Sequence, residues 1–399
     1  MTLNGRYYSY LNTAKSLLQN YTGEIPFHHY LGQYFRNFAK YGSRDRKQIA
    51  SLCYSYFRTG LSMKNLPIEN KIRASFFLCS ELPGELLGFI DVGWNKEAGL
   101  PPQKKAELLR EEGLLSRIDE IFPLTGRLSK FISDEQEDFI FSHLVQPNLF
   151  LRIRPGYEKL VAGKVESANI PGIISGTTVT LPNSMDAAAW FEVDREVVVQ
   201  DFSSQQTGNF ILDAAATLGR ENPGPKVWDC CAASGGKSLL AYDILDRIQL
   251  TVSDLRPSIL ENLHERFNRA GVRTYQSFTA DLSKKLKGQH GKFDMIIADV
   301  PCSGSGTWGR TPEELSFFSE EKLAQYVSLQ RKIIAHSVPF LVPGGQYLYF
   351  TCSVYADENE EAIDYMVRNF GFTLSRMDLL KGYKSRADTM FAARLTSPG

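Results

Sequence analysis

The second half of this 399-residue chain predicts a doubly wound α/β sheet, and three observations carry that prediction. From about residue 205 onward, short apolar runs alternate with stretches of helical period, the pattern of a largely parallel sheet covered by helices. One run leads into a glycine turn and a helix start, Val227-Trp228-Asp229-Cys230-Cys231-Ala232-Ala233-Ser234-Gly235-Gly236-Lys237-Ser238. Two further runs, residues 293–298 and 345–350, lead directly into Asp299-Val300-Pro301-Cys302-Ser303-Gly304 and Thr351-Cys352-Ser353. Both thiols are therefore expected at strand carboxyl ends, where open α/β sheets bind their ligands.

In chain order, residues 1–140 are expected to form a helical domain. Residues 10–18 and 43–57 have helical spacing; the second stretch places Ile49, Leu52, Cys53 and Tyr56 on one stripe, with Ser43 as N-cap after Gly42. Pro101-Pro102 predicts a loop. Residues 141–204 are expected to be a small α+β module, with strands at Leu149–Pro155, Thr178–Leu181 and Glu196–Val199. Arg152 and Arg154 fall on one strand face, as phosphate ligands or as plain surface arginines. Residues 205–399 make the third domain, with strands at 226–231, 250–254, 274–280, 293–299, 345–351, 371–376 and 389–395. Its helices are expected at 236–247, 257–270, 320–341 and 358–370, and the short connection before the last strand predicts an antiparallel closing hairpin.

Composition narrows the function. A hydrophobic fraction of 43% and a charged fraction of 23% exclude a disordered or fibrous chain. The zero net charge argues against nucleic acid when taken alone. The distribution is uneven, however: Arg6, Lys15, Arg36, Lys40, Arg44, Arg46, Lys47 and Arg58 face only Glu24 and Asp45 among the first sixty residues. That is a basic surface or a solvated helix face. The first residues lack the apolar core of a signal peptide, and no stretch approaches a membrane span. Cysteines 53, 79, 230, 231, 302 and 352 show no CxxC spacing and no histidine partners at metal-ligand intervals. The expectation is a cytoplasmic monomer without metal or membrane partner.

The glycine turn ends like a phosphate loop, in Gly236-Lys237-Ser238, yet position 231, where such a loop needs its first glycine, is Cys. A dinucleotide G-x-G-x-x-G is absent as well. What remains is a nucleoside site. Asp254 closes the next strand about 20 residues beyond Gly235, an interval that suits a carboxylate on ribose hydroxyls. Asp281 closes the strand after that and is expected at the adenine edge. A ribose carboxylate without a pyrophosphate loop points to S-adenosylmethionine as cofactor.

At the other sites, Asp299, Cys302 and Cys352 match one demanding reaction. Carbon 5 of cytosine is a poor nucleophile until a thiolate adds to carbon 6. An acid near ring nitrogen 3 and a base for the carbon 5 proton complete the set. Cys53 and Cys79 lie on apolar helical runs and read as small core residues.

Residues 229–237, Asp299-Val300-Pro301-Cys302-Ser303-Gly304-Ser305-Gly306, and Thr351-Cys352-Ser353-Val354 with Glu358-Asn359-Glu360 together resemble the Nop/Sun family of RNA 5-methylcytosine methyltransferases. The resemblance spans about the last 200 residues. Residues 199–205 resemble the family's opening segment, and 388–394 its closing strand. It implies a Rossmann-like class I methyltransferase sheet, with Cys352 as nucleophile, Cys302 as helper of product release and Asp299 near ring nitrogen 3. It also implies that Cys231, Ala232, Ala233, Ser234, Gly235, Gly236 and Lys237 line the cofactor, with Asp254, Asp281 and Asp299. Three positions depart from the family pattern: Ser234 replaces a usual Pro, Val300 a usual Ala, and Gly309 the first of two arginines, leaving Arg310. Gly42–Lys47 with the helix after it resembles a NusB-like RNA-binding domain, and Phe150–Pro155 an RNA-recognition-like module. The implied substrate is RNA, ribosomal (16S) before transfer RNA. A non-catalytic ribosome-assembly factor is the alternative of another class.

Overall fold

Apolar stripes at helical spacing build the first of two units, which comprises Met1–Gly126, Ile132–Gln146 and Trp308–Glu320. The computed structural model describes residues 3–38, 40–218, 224–245, 247–286 and 291–399. The main helices of the first unit run Leu3–Asn20, Phe27–Asn37, Ser43–Arg58, Ile68–Cys79 and Pro102–Glu111. Ile49, Leu52, Cys53 and Phe57 are buried on the third of these, while Tyr56, expected on that stripe, is only half-buried beneath Lys71. The stripe turns one residue further because 3.6 residues per turn brings 53 and 57, not 53 and 56, under the core. Tyr21, Phe27 and Phe57 meet edge to face, with centroids 4.9 Å and 4.8 Å apart, around Phe27.

Three local expectations are corrected here. Gly42, not Ser43, is the N-cap; its amide is held by Asp45 Oδ2 at 3.0 Å, so the acid at the third helical position does the capping. Pro102 starts a helix rather than a loop, since a first-turn proline has no intrahelical donor to lose. The basic surface is partly spent: Arg6 pairs with Asp45, Arg44 with Glu85, and buried Arg58 donates to the carbonyls of His143 and Gly309.

The second unit comprises Arg127–Phe131, Pro147–Thr307 and Glu321–Gly399 and holds two sheets. The smaller is antiparallel, in the order β2-β3-β1-β4, from β1 (Leu149–Ile153), β2 (Ile173–Ser175), β3 (Thr178–Leu181) and β4 (Val197–Val199). Arg152 and Arg154 do not await a phosphate. Both are buried against Asp243 at 2.7 Å, and Arg154 also donates to the carbonyls of Asp194 and Ala270. Two guanidinium groups with so little exposure require a carboxylate, and the helix over 236–244 provides it.

The larger sheet is the expected doubly wound one. Its strands are β5 (Lys226–Asp229), β6 (Gln249–Asp254), β7 (Gln276–Thr279), β8 (Phe293–Asp299), β9 (Leu341–Thr351), β10 (Thr373–Leu380) and β11 (Met390–Thr396), in the order β10-β11-β9-β8-β5-β6-β7. β5 to β9 are parallel; β11 runs antiparallel to both β9 and β10, as the closing hairpin requires. Helices follow at Gly236–Ile244, Pro257–Ala270, Glu320–Ser337 and Glu360–Phe370; of the predicted 236–247 helix, residue 246 lies outside the described residues. One face of the sheet buries Val227, Met295, Ile297, Leu348 and Phe350 against Phe210, Ile211 and Leu240. The same face continues across β6, where Leu250, the register partner of Val227, and Val252 pack on Leu239, Leu263 and Phe267. From β5 the chain winds outward through β6 and β7, then returns to place β8 on the other flank of β5. That reversal opens a crevice at the carboxyl ends of β5 and β8, the place where such sheets bind ligands. Among the described residues no helix is long and apolar enough to cross a membrane.

Candidate active site

The glycine turn hangs off the end of β5. Asp229, its last residue, is fully buried; Oδ2 accepts from Ser238 Oγ at 2.5 Å, while Oδ1 has no hydrogen-bond partner among the described residues. Burial pushes this carboxyl up to about 7; the Ser238 hydroxyl opposes the shift and nearby Asp299 adds to it. The turn is then tied to β6, with the Ala232 amide on the Ser253 carbonyl at 2.9 Å and the Ala233 amide on Asp254 Oδ2 at 3.0 Å. Ala233 and Gly235 both take positive φ, +46° and +84°. At Gly235 a β-carbon would lie 2.7 Å from the Phe267 ring, so glycine is required twice over. At Gly236 a β-carbon would meet nothing within 4 Å, so the helix start faces open space.

Ser234, the departure from proline, is contacted by Arg266, whose Nη1 lies 3.4 Å from both its carbonyl and its hydroxyl. Asp254 holds its own turn through the Arg256 amide at 3.0 Å. Asp281 sits just past β7 and accepts from Ser283 and Lys284, which lower its carboxyl, the serine hydrogen bond most. Cys231 follows Cys230, a buried thiol pushed up by its hydrogen bond to Cys231 and by burial. Lys237, nearly buried, reaches out of the turn to Asp299 Oδ2 at 3.0 Å and Ser204 Oγ at 2.9 Å. Sequence reasoning left this lysine without a partner, because nothing in the spacing links residues 204, 237 and 299.

The two cysteine loops meet. β8 and β9 are adjacent parallel strands, with Asp299 opposite Phe350, and the Val300 amide continues the ladder to the Phe350 carbonyl. Cys302 Sγ lies 3.3 Å from Cys352 Sγ. Both sulfurs belong to free, partly exposed cysteines. The loops are stitched by the Gly306 amide on the Cys352 carbonyl at 2.8 Å and the Val354 amide on Ser305 Oγ at 2.9 Å. Thr389 of the closing segment donates its amide to the Gly306 carbonyl, and a β-carbon on Gly306 would fall 2.0 Å from the Thr389 oxygen. The hydrogen bond to Cys352 and burial push the Cys302 thiol well above the usual thiol range. Either thiol can be the donor in this contact. Cys53, in contrast, is completely buried in the helical unit, its thiol pushed up by burial alone.

Chemically, the crevice combines carboxyl groups at 229, 254 and 299 with a backbone turn whose Ala232, Ala233 and Gly235 amides are already taken by the Ser253 carbonyl, Asp254 and the Ala232 carbonyl. Such a set attracts a cation with hydroxyl groups and repels a pyrophosphate. The orphan oxygen of Asp229 fits a ligand that brings its own donors, so S-adenosylmethionine suits these residues.

A family profile described as 16S rRNA methyltransferase RsmB/F matches residues 211–395. Ribosomal RNA small subunit methyltransferase B of Xanthomonas campestris pv. campestris is 33% identical over 173 residues, which cover 42% of this chain and 37% of that protein. The mouse tRNA (cytosine(72)-C(5))-methyltransferase NSUN6 is 32% identical over 161 residues, covering 37% of this chain and 33% of that one. The matched stretches thus span 37% and 33% of the length of these two curated relatives. Among solved structures, NSun6 from Pyrococcus horikoshii with SFG superposes with a TM-score of 0.57 at 16% identity, over 69% of this chain and 98% of the other. At that identity the likeness is one of fold.

Proposed function

We propose, from the premise that residues 211–395 form a methyltransferase domain of the RsmB/F family, that this protein methylates carbon 5 of a cytosine in small-subunit ribosomal RNA. The observation that carries the proposal is the 3.3 Å approach of Cys302 and Cys352 at the ends of two neighbouring parallel strands. S-adenosylmethionine, when bound, supplies the electrophilic methyl group. Asp229, Asp254 and the 231–237 turn hold it, with Asp281 toward its base.

The chain's own groups do the rest. Cys352, as thiolate, adds to carbon 6 and pushes an electron pair toward carbon 5; ring nitrogen 3 takes a proton passed on by Asp299 from the Lys237 ammonium as the charge arrives there. Lys237, 3.0 Å behind Asp299, is the source of that proton. After carbon 5 gains its methyl group it loses its proton to a water molecule, the bond from carbon 6 to sulfur breaks, and nitrogen 3 returns its proton through Asp299 to Lys237. Cys302, held protonated, donates to the departing Cys352 sulfur and so favours its release as thiolate. A base buried in an A-form helix is out of reach of these sulfurs, so the target must be single-stranded or splayed out. Reduced thiols of this kind suit the cytoplasm.

The test uses RNA and labelled cofactor with Cys352→Ala and Cys302→Ala. Transfer vanishes in the first, and the second accumulates a protein–RNA adduct that survives denaturation; full activity of Cys352→Ala would refute the proposal. Because a relative is named as a transfer RNA enzyme, transfer RNA is run beside ribosomal RNA, and bisulfite mapping identifies the modified cytosine.

A further inference from the structure

Both reactive cysteines are followed by serine, and both serines turn inward to the same group. Glu358 is fully buried between the two loops. Its Oε1 accepts from the Ser303 amide at 2.8 Å and from Gln330 Nε2 at 2.9 Å. Its Oε2 accepts from the hydroxyls of Ser303 and Ser353. Gln330 in turn donates to the Pro301 carbonyl at 3.0 Å, immediately before Cys302. The next residue, Asn359, holds the Cys352 side: Thr351 Oγ1 donates to its Oδ1 at 2.6 Å, and its Nδ2 donates to the Ser353 carbonyl at 2.9 Å. The Tyr349 hydroxyl fixes the Glu358 carbonyl at 2.8 Å.

From this geometry we infer that Glu358 is the positioning residue that brings the two sulfurs together, one buried carboxylate clamping the Cys302 loop and the Cys352 loop at once. A carboxylate with four donors and no exposure has no free lone pair to offer a substrate, so it acts on the cysteines and not on the base. Burial raises its proton affinity, and the serine hydrogen bonds oppose that rise. The clamp explains why two loops joined to separate strands keep their thiols in contact without a covalent link. It rests on the proposed reaction only for its kinetic readout.

Glutamine separates a clamp from a proton-transfer group. In Glu358→Gln the carbonyl keeps the Ser303 amide and Gln330, and the amide nitrogen donates to the two serine hydroxyls, which rotate to accept. In Glu358→Ala all four donors are orphaned. The folded protein and both variants are treated with dibromobimane, in which each of two thiolates displaces one bromide, and the Cys302–Cys352 cross-link is quantified by peptide mapping. Wild type and Glu358→Gln should cross-link comparably, whereas Glu358→Ala should lose the cross-link and drop about a hundredfold in kcat, the scale of a 1 Å misplacement. KM for RNA and for the cofactor should stay within about threefold, as expected when only the reacting geometry changes. Absence of the wild-type cross-link, its persistence in Glu358→Ala, or a Gln variant as inactive as Ala would each overturn the inference. If circular dichroism shows that Glu358→Ala does not fold, the Ser303→Ala/Ser353→Ala double variant replaces it under the same criteria. Should the wild type methylate no RNA, the proposed reaction fails and the cross-link still decides the clamp.

Discussion

Asp229→Asn is the most informative single substitution, because its effect has a sign and a pH window. The wild-type carboxyl is raised from its ordinary 3.8 to about 7 by burial. A raised acid contributes to stability fully below its unfolded value and loses that contribution as pH climbs through the folded one. Across about three pH units at 1.36 kcal/mol each, ionising Asp229 in place is worth about 4 kcal/mol against the folded state. Asparagine carries no charge to desolvate. It trades an orphan acceptor for an orphan donor, a penalty of about 1–3 kcal/mol that does not vary with pH. The stability of Asp229→Asn minus that of wild type should therefore grow by about 3 kcal/mol between pH 5 and pH 8. Urea denaturation at each pH, followed by fluorescence from the fully buried Trp228 next door, measures the difference. A difference that is flat with pH, or that shrinks toward alkaline conditions, would refute the picture of a desolvated carboxyl at the end of β5.

Further outcomes are open to measurement. Calorimetry of S-adenosylmethionine should show binding strengthening as pH rises through about 7 in wild type, as Asp229 ionises toward a cationic ligand, and no such trend in Asp229→Asn. Asp243→Ala should destabilise the second unit by about 3–5 kcal/mol in chemical denaturation, because it strands two buried guanidinium groups. Gly306→Ala should abolish transfer and lower the melting temperature: its β-carbon has no room beside the Thr389 carbonyl oxygen. Under native conditions a maleimide should label the partly exposed Cys352 while sparing the fully buried Cys53, with mass spectrometry identifying the sites.

The sheet was readable because its inner strands are near-continuous apolar runs buried on both faces, and because the residues after them change abruptly to Gly, Asp and Cys. The beginning of β9 was less readable. Pro343-Gly344-Gly345 looks like a turn, yet the strand runs from Leu341 and absorbs it as a register shift opposite Phe293 and Met295. The closeness of Cys302 and Cys352 followed from placing both at adjacent strand ends. What held them there did not: Glu358 was visible only as part of a motif, since a buried carboxylate is identified by donors that come from residues 303, 330 and 353. Arg152 and Arg154 misled for the same reason. Their alternation was clear, while their partner Asp243 lies on a helix of the other sheet, about 90 residues away along the chain. Local period is written in a sequence, and long-range charge pairing is not.

The hydrogen bonds joining Gly306 to Cys352 and to Thr389 have a consequence for any shortened form of the protein. Three stretches far apart in the polypeptide meet at this one glycine beside the two sulfurs. A chain without β11 and the segment leading into it would lack the Thr389 amide that the Gly306 carbonyl accepts, and with it one of the backbone ties beside the Cys352 loop.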